Sequence, residues 1–283
     1  WGPVTKRGQQ LILAATRKEA AKGAAQISFD LYYYAPGKRR FLAEHPENDS
    51  GPMFSPNGEY IAFSSGRTGE GDIYVYSLFA QGEPLVRITF EEIGSELFPT
   101  WSPDGSQLAY IGHLGGADHL LVIDKVTTLL SVKDESARKA AARGLTRDLT
   151  AGWQHSAFAP SYSPDGKWIA FYMHPKGELR SDLYVVRAAG GEPSLLMENV
   201  VPGTRLGPCW SPESDGLFVV EESAKRMNPI MWVPLSHASQ RQRLDTQTQL
   251  NNDLTLWKSD EGTFLMFAAQ GGGEKDYEKR WRK

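Results

Sequence analysis

The sequence predicts an all-β fold in which one four-stranded unit is repeated along the 283 residues. Three observations predict it. A turn containing proline and glycine recurs, short apolar strands follow the turn in a fixed order, and successive copies are separated by about 50 residues. The 28 glycines and 17 prolines supply many turns, and 40% apolar residues are enough to form a core.

The recurring turn has the form Pro-x-aromatic-Ser-Pro-Asp-Gly or a close variant, and its clear copies are 52–58, 99–105, 160–166 and 208–216. Proline presets φ in the turn, Asp or Asn accepts a local backbone hydrogen bond, and glycine avoids a Cβ clash. Two weaker copies lie near the ends of the chain. The turn glycines are therefore 46 to 61 residues apart: Gly8, Gly58, Gly105, Gly166, Gly216 and Gly262.

Each clear copy continues into a second strand that is apolar on both faces, and most continue into a third strand that begins with Asp. Four strands with a period near 50 are typical of β-propeller blades, because a blade buries both its faces only between neighbouring blades. We therefore expect a six-bladed β-propeller of four-stranded antiparallel blades, with 1–283 as one domain. The expected blades are approximately 1–47, 48–94, 95–152, 153–203, 204–248 and 249–283.

The repeat resembles that of the TolB family, whose typical form is Pro-x-Trp-Ser-Pro-Asp-Gly followed by Ile-Ala-Phe, Ile-Tyr and Leu-Thr. Residues 99–110 and 160–172 match this form almost residue for residue. The resemblance implies a non-enzymatic protein–protein interaction or structural module in a cell-envelope or membrane-associated complex, periplasmic or otherwise extracytoplasmic. No stretch of 1–283 corresponds to the N-terminal α/β domain of TolB.

Composition excludes several classes of protein. A net charge of −3 and a pI near 6.1 exclude a strongly basic nucleic-acid binder. The single cysteine, Cys209, excludes an internal disulfide framework and a thiolate zinc cluster. No apolar run approaches the ~18 residues of a membrane-spanning helix, so membrane contact would be peripheral. Because residue 1 is Trp, either the chain is a processed product or an upstream segment is missing from the numbering.

The sequence has no Gly-x-Ser-x-Gly elbow, His-Glu-x-x-His pair, phosphate loop or dinucleotide fingerprint. We therefore predict that the chain is not an enzyme and uses no cofactor or metal. One alternative is the propeller of a prolyl-oligopeptidase-like peptidase whose catalytic domain lies outside this chain. A second is a metal-dependent lyase or hydrolase, for which His113 and His174 would lie at comparable positions on adjacent blades.

Polar residues occur in the loops that lead into the innermost strand of each blade. In a propeller these loops gather around one mouth of the central channel, where they could bind a partner or only water. The resemblance implies that this region accepts extended peptide segments. The candidate partner-binding residues are Asn48, Asp49, Ser95, Glu96, His155, Thr204, Arg205, Asn251 and Asn252.

The C-terminal tail has four positive charges around one tryptophan. It could dock on an acidic partner or on anionic head groups, or it could be an ordinary edge strand with solvated charges. The tail residues are Lys279, Arg280, Trp281, Arg282 and Lys283. The strand count ends at the third strand of the sixth blade, at about 276–281. We expect its fourth position to be empty, or filled by residues missing from the numbering or by a partner's strand.

Two insertions interrupt the repeat. Residues 131–144 are rich in Ala and Arg and predict a short helix with Gly144 as its C-terminal cap, and 18–25 form a second insertion. Both are better candidates for specific contacts than the blade strands. Trp101, Tyr162 and Trp210 share one position before the turn, where we expect buried packing residues.

Overall fold

A computed structural model describes residues 11–18, 27–35, 37–69, 71–91, 94–203, 207–223, 228–244, 246, 249–259 and 262–270. Within these residues the fold is the predicted all-β propeller fold, with six antiparallel sheets that follow one another along the chain. The chain divides into two compact units, Trp1–Ala151 and Gly152–Lys283, with three sheets in each. That 1–283 is a single domain stays a prediction.

In the first unit each sheet is a simple meander in which consecutive strands pair. The first sheet consists of β1 (Leu11–Lys18), β2 (Ile27–Ala35) and β3 (Lys38–Leu42). The second consists of β4 (Asp49–Phe54), β5 (Tyr60–Ser65), β6 (Asp72–Ser77) and β7 (Leu85–Arg87). The third consists of β8 (Leu97–Trp101), β9 (Leu108–Leu114), β10 (Ala117–Ile123) and β11 (Thr146–Asp148). Helices α1 (Val126–Ser131) and α2 (Glu135–Leu145) lie between β10 and β11 in sequence.

The second unit continues the pattern. Its first sheet consists of β12 (Ser156–Tyr162), β13 (Trp168–His174), β14 (Asp182–Arg187) and β15 (Ser194–Met197). The next consists of β16 (Val200–Val201), β17 (Cys209–Trp210), β18 (Gly216–Glu221), β19 (Ile230–Pro234) and β20 (Gln242–Arg243), with a 3₁₀ turn at Ala238–Gln240. The last described strands are β21 (Gln249–Ser259) and β22 (Gly262–Gln270). Strand β16 pairs with β18 in the fifth sheet, although its residues lie in the interval expected for the fourth blade.

The recurring turn has the internal hydrogen bonds that its composition predicts. In the third sheet Ser102 Oγ donates to Asp104 Oδ1 over 2.6 Å, and the N–H of Gly105 donates to the Ser102 carbonyl over 2.8 Å. The equivalent Ser163–Asp165 bond is also 2.6 Å. In the fifth sheet the turn has the same length, but Ser214, with φ +62°, occupies the position that glycine has elsewhere. Gly216, the predicted turn glycine, is instead the first residue of β18. The polar groups of these turns therefore find their hydrogen-bond partners within the turn itself.

The aromatic residues before the turn pack as predicted. Trp101, Tyr162 and Trp210 are 6%, 8% and 6% exposed. The indole N–H of Trp101 donates to the Met53 carbonyl of the preceding sheet over 3.2 Å, and Trp210 donates to the Ser161 carbonyl over 3.1 Å. Met53 and Ser161 are themselves equivalent in the repeat, so each tryptophan joins its sheet to the preceding one in the same way.

The predicted helical insertion is two helices, because Val126–Ser131 forms α1 before the longer α2 begins. Asp134 caps α2 by accepting a 2.7 Å hydrogen bond from the Ala137 N–H. Gly144 is not the cap: it lies inside α2, which ends at Leu145 where β11 follows directly. The other insertion, 18–25, lies outside the described residues apart from Lys18. None of the described helices is long and apolar enough to span a membrane.

Arg138 attaches α2 to the blades. This side chain is buried, and its guanidinium donates to the Val132 carbonyl over 2.7 Å and to the Arg87 carbonyl over 3.4 Å. Arg87 belongs to β7, the edge strand of the second sheet. The insertion of the third blade therefore lies against the outer edge of the second, where it covers backbone groups that would otherwise be open to pairing.

Candidate functional site

A cavity of about 240 Å³ lies in the first unit, between α2 and the chain that leaves the second sheet. One wall is the segment 88–91 that follows β7, and the other is α2. The floor comes from β9, β10 and β11 of the third sheet. The lining residues are Ile88, Thr89, Phe90, Glu91, Tyr110, Leu114, Leu121, Lys139, Ala142, Arg143, Thr146 and Asp148.

The floor and lower walls of the cavity are apolar. Ile88, Tyr110 and Leu121 are almost fully buried in the core that the second and third sheets share with both helices. Burial raises the pKa of the Tyr110 phenol far above its ordinary value, so this hydroxyl stays neutral. Phe90 packs under the Arg87 guanidinium, 4.8 Å from its ring centre. An apolar side chain that entered the cavity would therefore be removed from water, which is favourable.

The rim of the cavity is charged. Lys139 and Arg143 lie one helical turn apart on α2, and Glu91 and Asp148 come from the other elements. Asp148 is held by its own sheet: Oδ2 lies 2.8 Å from Nδ1 of His119, and Oδ1 accepts from the Thr150 N–H over 2.9 Å. Both oxygens of this carboxylate are thus engaged within the third blade.

Glu96, one of the predicted site residues, is buried close to the cavity. Its side chain is 1% exposed, and its Oε2 accepts from Thr89 Oγ1, which lines the cavity, over 3.4 Å. Oε1 has no hydrogen-bond partner among the described residues. Burial, together with the negative charges of Asp72 and Glu91, raises the pKa of this carboxyl to about 8. Glu96 is therefore largely protonated at neutral pH.

Asp49 is also buried rather than open to a partner. Its carboxylate lies 3.1 Å from the Arg67 guanidinium. Burial raises the pKa of Asp49, although hydrogen bonds from Ser65 and Arg67 oppose that shift. Arg67 also donates to the Ala43 carbonyl over 2.9 Å and lies over the Tyr74 ring. The ion pair lies within the second sheet, and the bond from Arg67 to the Ala43 carbonyl joins this sheet to the first.

The other predicted residues of the first unit are exposed. Asn48 Oδ1 accepts from the Phe29 N–H over 3.0 Å, and Ser95 forms a backbone bridge with Gly71. Contact of Asn48 and Ser95 with a partner stays a prediction. Both are outside the cavity lining.

In the second unit, the side chain of His155 is half-buried, and its Nδ1 accepts from the Lys176 N–H over 2.9 Å. Asn251 is buried and donates to the Asn228 carbonyl over 2.8 Å. Asn252 lies in β21, and its side chain is outside the described part of the structure. Also outside are Thr204, Arg205, the tail residues Lys279, Arg280, Trp281, Arg282 and Lys283, and the segment 276–281 on which the strand count of the sixth blade depends.

The two histidines considered for a metal have local partners. His113 Nδ1 lies 2.8 Å from Asp118 Oδ1, whereas His174 contacts the Arg180 carbonyl at 3.0 Å and stacks on Phe158. Among the described residues, no three His, Cys, Asp or Glu side chains come together as a metal site.

The sequence predicted the helix but not the cavity beside it. The lining joins 88–91 to residues about 50 positions further along the chain, and no local pattern shows that pairing. The available signal was the insertion itself, with Lys139 and Arg143 four residues apart on a short Ala-rich helix.

No family model matches the sequence. The uncharacterized protein Atu1656 of Agrobacterium fabrum is 27% identical over 149 residues, which are 52% of this chain and 47% of that protein. The chain thus spans about half the length of the curated relative it matches.

Solved structures share the propeller fold at low identity. TolB from Acinetobacter baumannii superposes with a TM-score of 0.54 at 17% identity, over 74% of this chain and 47% of TolB. A puromycin-hydrolyzing peptidase of Mycobacterium tuberculosis superposes with a TM-score of 0.66 at 17% identity, over 94% of this chain and 43% of the peptidase. At these identities the likeness shows a TolB-like propeller fold and not an activity.

Proposed function

We propose that this chain is a non-enzymatic, TolB-like interaction module that holds a protein partner at the cavity beside α2. One observation carries the proposal: the repeat is interrupted by a helix, and that helix forms one wall of an apolar cavity with a charged rim. The turns and tryptophans of the blades are used inside the chain, whereas this cavity offers a concave apolar surface with polar groups around it, as binding sites usually do.

The resemblance of the repeat to TolB adds the setting. We propose that the partner is a subunit of a cell-envelope or membrane-associated complex and that the protein works outside the cytoplasm. Fractionation of cells that make the protein tests this setting. We expect it with the periplasmic or membrane fraction, and recovery with the cytosolic proteins alone would contradict it.

The regulatory propeller of a peptidase is the second candidate. The superposition on 94% of this chain and 43% of the mycobacterial peptidase supports it. On this alternative, a catalytic domain outside 1–283 would perform hydrolysis. Assay of the natural full-length protein with chromogenic peptide substrates separates the two candidates, since the interaction module should release no product above a heat-inactivated control.

Affinity capture tests the leading proposal. Three baits would be used on detergent-solubilised membranes: the wild-type protein, Ala142→Phe and Ala140→Phe. Ala142 is buried and lines the cavity, so Phe would fill it, while Ala140 is exposed on the same helix and is the matched control. The wild type and Ala140→Phe should capture the same partner, and Ala142→Phe should lose it. Equal capture by all three baits would contradict the proposed site.

A further inference from the structure

We propose that Asn57 is a site of spontaneous deamidation, and that the hydrogen bonds of the turn in the second sheet restrict this reaction to moments when the turn opens. Asn57 and Gly58 form the only Asn-Gly pair in the sequence. The inference concerns a covalent change in one blade and does not depend on the proposed function.

The reaction needs only these two residues and water. The backbone nitrogen of Gly58 loses its proton and attacks Cγ of Asn57, so that an N–Cγ bond forms, the Cγ–Nδ2 bond breaks and ammonia leaves with the proton. Water then opens the succinimide ring at either carbonyl and leaves an aspartyl or an isoaspartyl residue at position 57. Glycine favours the ring closure, because it has no Cβ beside the attacking nitrogen.

In the folded chain the attacking nitrogen is already engaged. The N–H of Gly58 donates to the Ser55 carbonyl over 2.9 Å, and Gly58 is buried with φ +69°. To act as a nucleophile, this nitrogen would have to give up the bond that closes the turn. Ring closure therefore requires the turn to open first.

The side-chain amide of Asn57 is held as well, although the residue is exposed. Its Oδ1 accepts from Ser55 Oγ over 2.7 Å and from the Glu59 N–H over 3.0 Å. Its Nδ2 donates to Glu59 Oε2 over 3.0 Å. Both ends of the amide are thus fixed within the turn, so Cγ is not free to approach the Gly58 nitrogen. These contacts predict slow deamidation in the folded state.

The turns of the third and fourth sheets show how the product would fit. Asp104 and Asp165 occupy the equivalent position and accept from the serine hydroxyl of their own turn over 2.6 Å. The residue two positions later suits a carboxylate in both turns. Ser106 Oγ donates to Asp104 Oδ2 over 2.8 Å, and Lys167 Nζ lies 3.2 Å from Asp165 Oδ2.

The second sheet has Glu59 at that later position, where it accepts from the amide of Asn57. Deamidation replaces this donor by an acceptor, so that two carboxylates face each other within one turn. The modification should therefore weaken the turn of the second blade, although the same carboxylate is well placed in the next two blades.

Ageing of the purified protein in neutral buffer tests the inference. Peptide mapping by mass spectrometry would follow the conversion of amide to acid at Asn57 in the wild type and in a synthetic peptide of residues 54–63. Ser55→Ala and Glu59→Ala each remove a hydrogen bond to the Asn57 amide. Ser102→Ala makes the same change as Ser55→Ala in the turn of the third sheet and is the matched control.

We expect Asn57 to deamidate at least about tenfold more slowly in the wild type than in the peptide. Ser55→Ala and Glu59→Ala should each speed the reaction at least about threefold, because each variant lacks a bond that holds the amide. Ser102→Ala should react like the wild type. If Ser55→Ala fails to fold by circular dichroism, Glu59→Ala, at a half-buried position, tests the same claim.

Asn57→Asp tests the consequence for stability. This variant should have a Tm about 1–2 °C below that of the wild type, and adding Glu59→Lys should remove most of the loss, because Lys167 suits Asp165 in the fourth sheet. The single variant Glu59→Lys is the reference for that comparison.

Equal rates of deamidation in the wild type and in the peptide would overturn the inference. So would Ser55→Ala and Glu59→Ala variants that react no faster than the wild type, or a peptide that keeps its amide over the same period. An unchanged Tm for Asn57→Asp would overturn the predicted weakening of the turn.

Discussion

Replacing Glu96 by Gln tests how a buried carboxyl limits the stability of the second and third blades. In the folded chain burial raises the pKa of Glu96 to about 8, while the ordinary value is 4.5. Between these two values the folded state keeps the proton and the unfolded chain loses it. The stabilisation is therefore complete below pH 4.5 and is lost as pH rises to about 8.

The magnitude follows from the gap between the two pKa values. At 1.36 kcal/mol for each factor of ten, a gap from 4.5 to about 8 corresponds to roughly 4–5 kcal/mol of stability lost above pH 8. Local relaxation and entry of water reduce this cost, so we expect about 2–4 kcal/mol. Gln has the same length, stays neutral, and can still accept the hydrogen bond from Thr89 Oγ1.

The assay is urea unfolding followed by tryptophan fluorescence at pH 5, 7 and 9. We expect Glu96→Gln to resemble the wild type within about 1 kcal/mol at pH 5 and to exceed it by about 2–4 kcal/mol at pH 9. Glu83→Gln, at an exposed position, is the matched control and should follow the wild type at every pH. A constant difference between Glu96→Gln and the wild type from pH 5 to 9 would refute the reasoning.

Three further changes test contacts inside the two units, two in the first unit and one in the second. Trp101→Ala should lower the free energy of unfolding by roughly 3–5 kcal/mol in urea titrations, because a buried indole and its bond to the Met53 carbonyl are lost. A loss under about 1 kcal/mol would contradict a packing role. Arg138→Lys should speed amide hydrogen exchange in 135–145, because an ammonium does not reproduce the guanidinium contacts with the Val132 and Arg87 carbonyls. Unchanged exchange would mean that other contacts hold α2. Gly216→Ala should reduce thermal stability, because its Cβ would lie 2.4 Å from the Trp232 ring and 2.6 Å from the Val233 carbonyl, and an unchanged Tm would show that this packing yields easily.

Features that recur in several copies of the repeat were predictable from the sequence. The turn chemistry of Ser102 and Asp104 depends on residues within a few positions of each other, so each copy of the motif shows it. The burial of Trp101 and Trp210 follows because equivalent residues meet equivalent neighbours in successive blades. Strand order has the same origin.

Backbone geometry inside the strands was not predictable. The innermost strands are irregular just before the motif proline, where Phe98 and Ala159 have φ of +55° and +47°. Neither residue type favours the left-handed region, so local propensity points to regular strands there. Gly51, at the equivalent position of the second sheet, has a residue type that suits that conformation.

The candidate site was the least predictable part. Asp49, Glu96 and Asn251 are polar residues near strand starts, and the sequence alone places such residues at a solvated mouth. Their burial depends on contacts between separate parts of the chain. Arg67 of the same sheet pairs with Asp49, and Thr89, which follows the second sheet, bonds to Glu96 at the start of the third. The cavity is non-local for the same reason, since its walls combine Ile88 with Lys139.

Hydrogen–deuterium exchange with and without the captured partner tests the central claim most directly. If the partner binds beside α2, exchange should slow in 88–91 and 135–148, while the turn 102–107 should be unchanged. Protection confined to other segments, with 135–148 exchanging as in the free protein, would contradict the assignment of this cavity as the binding site.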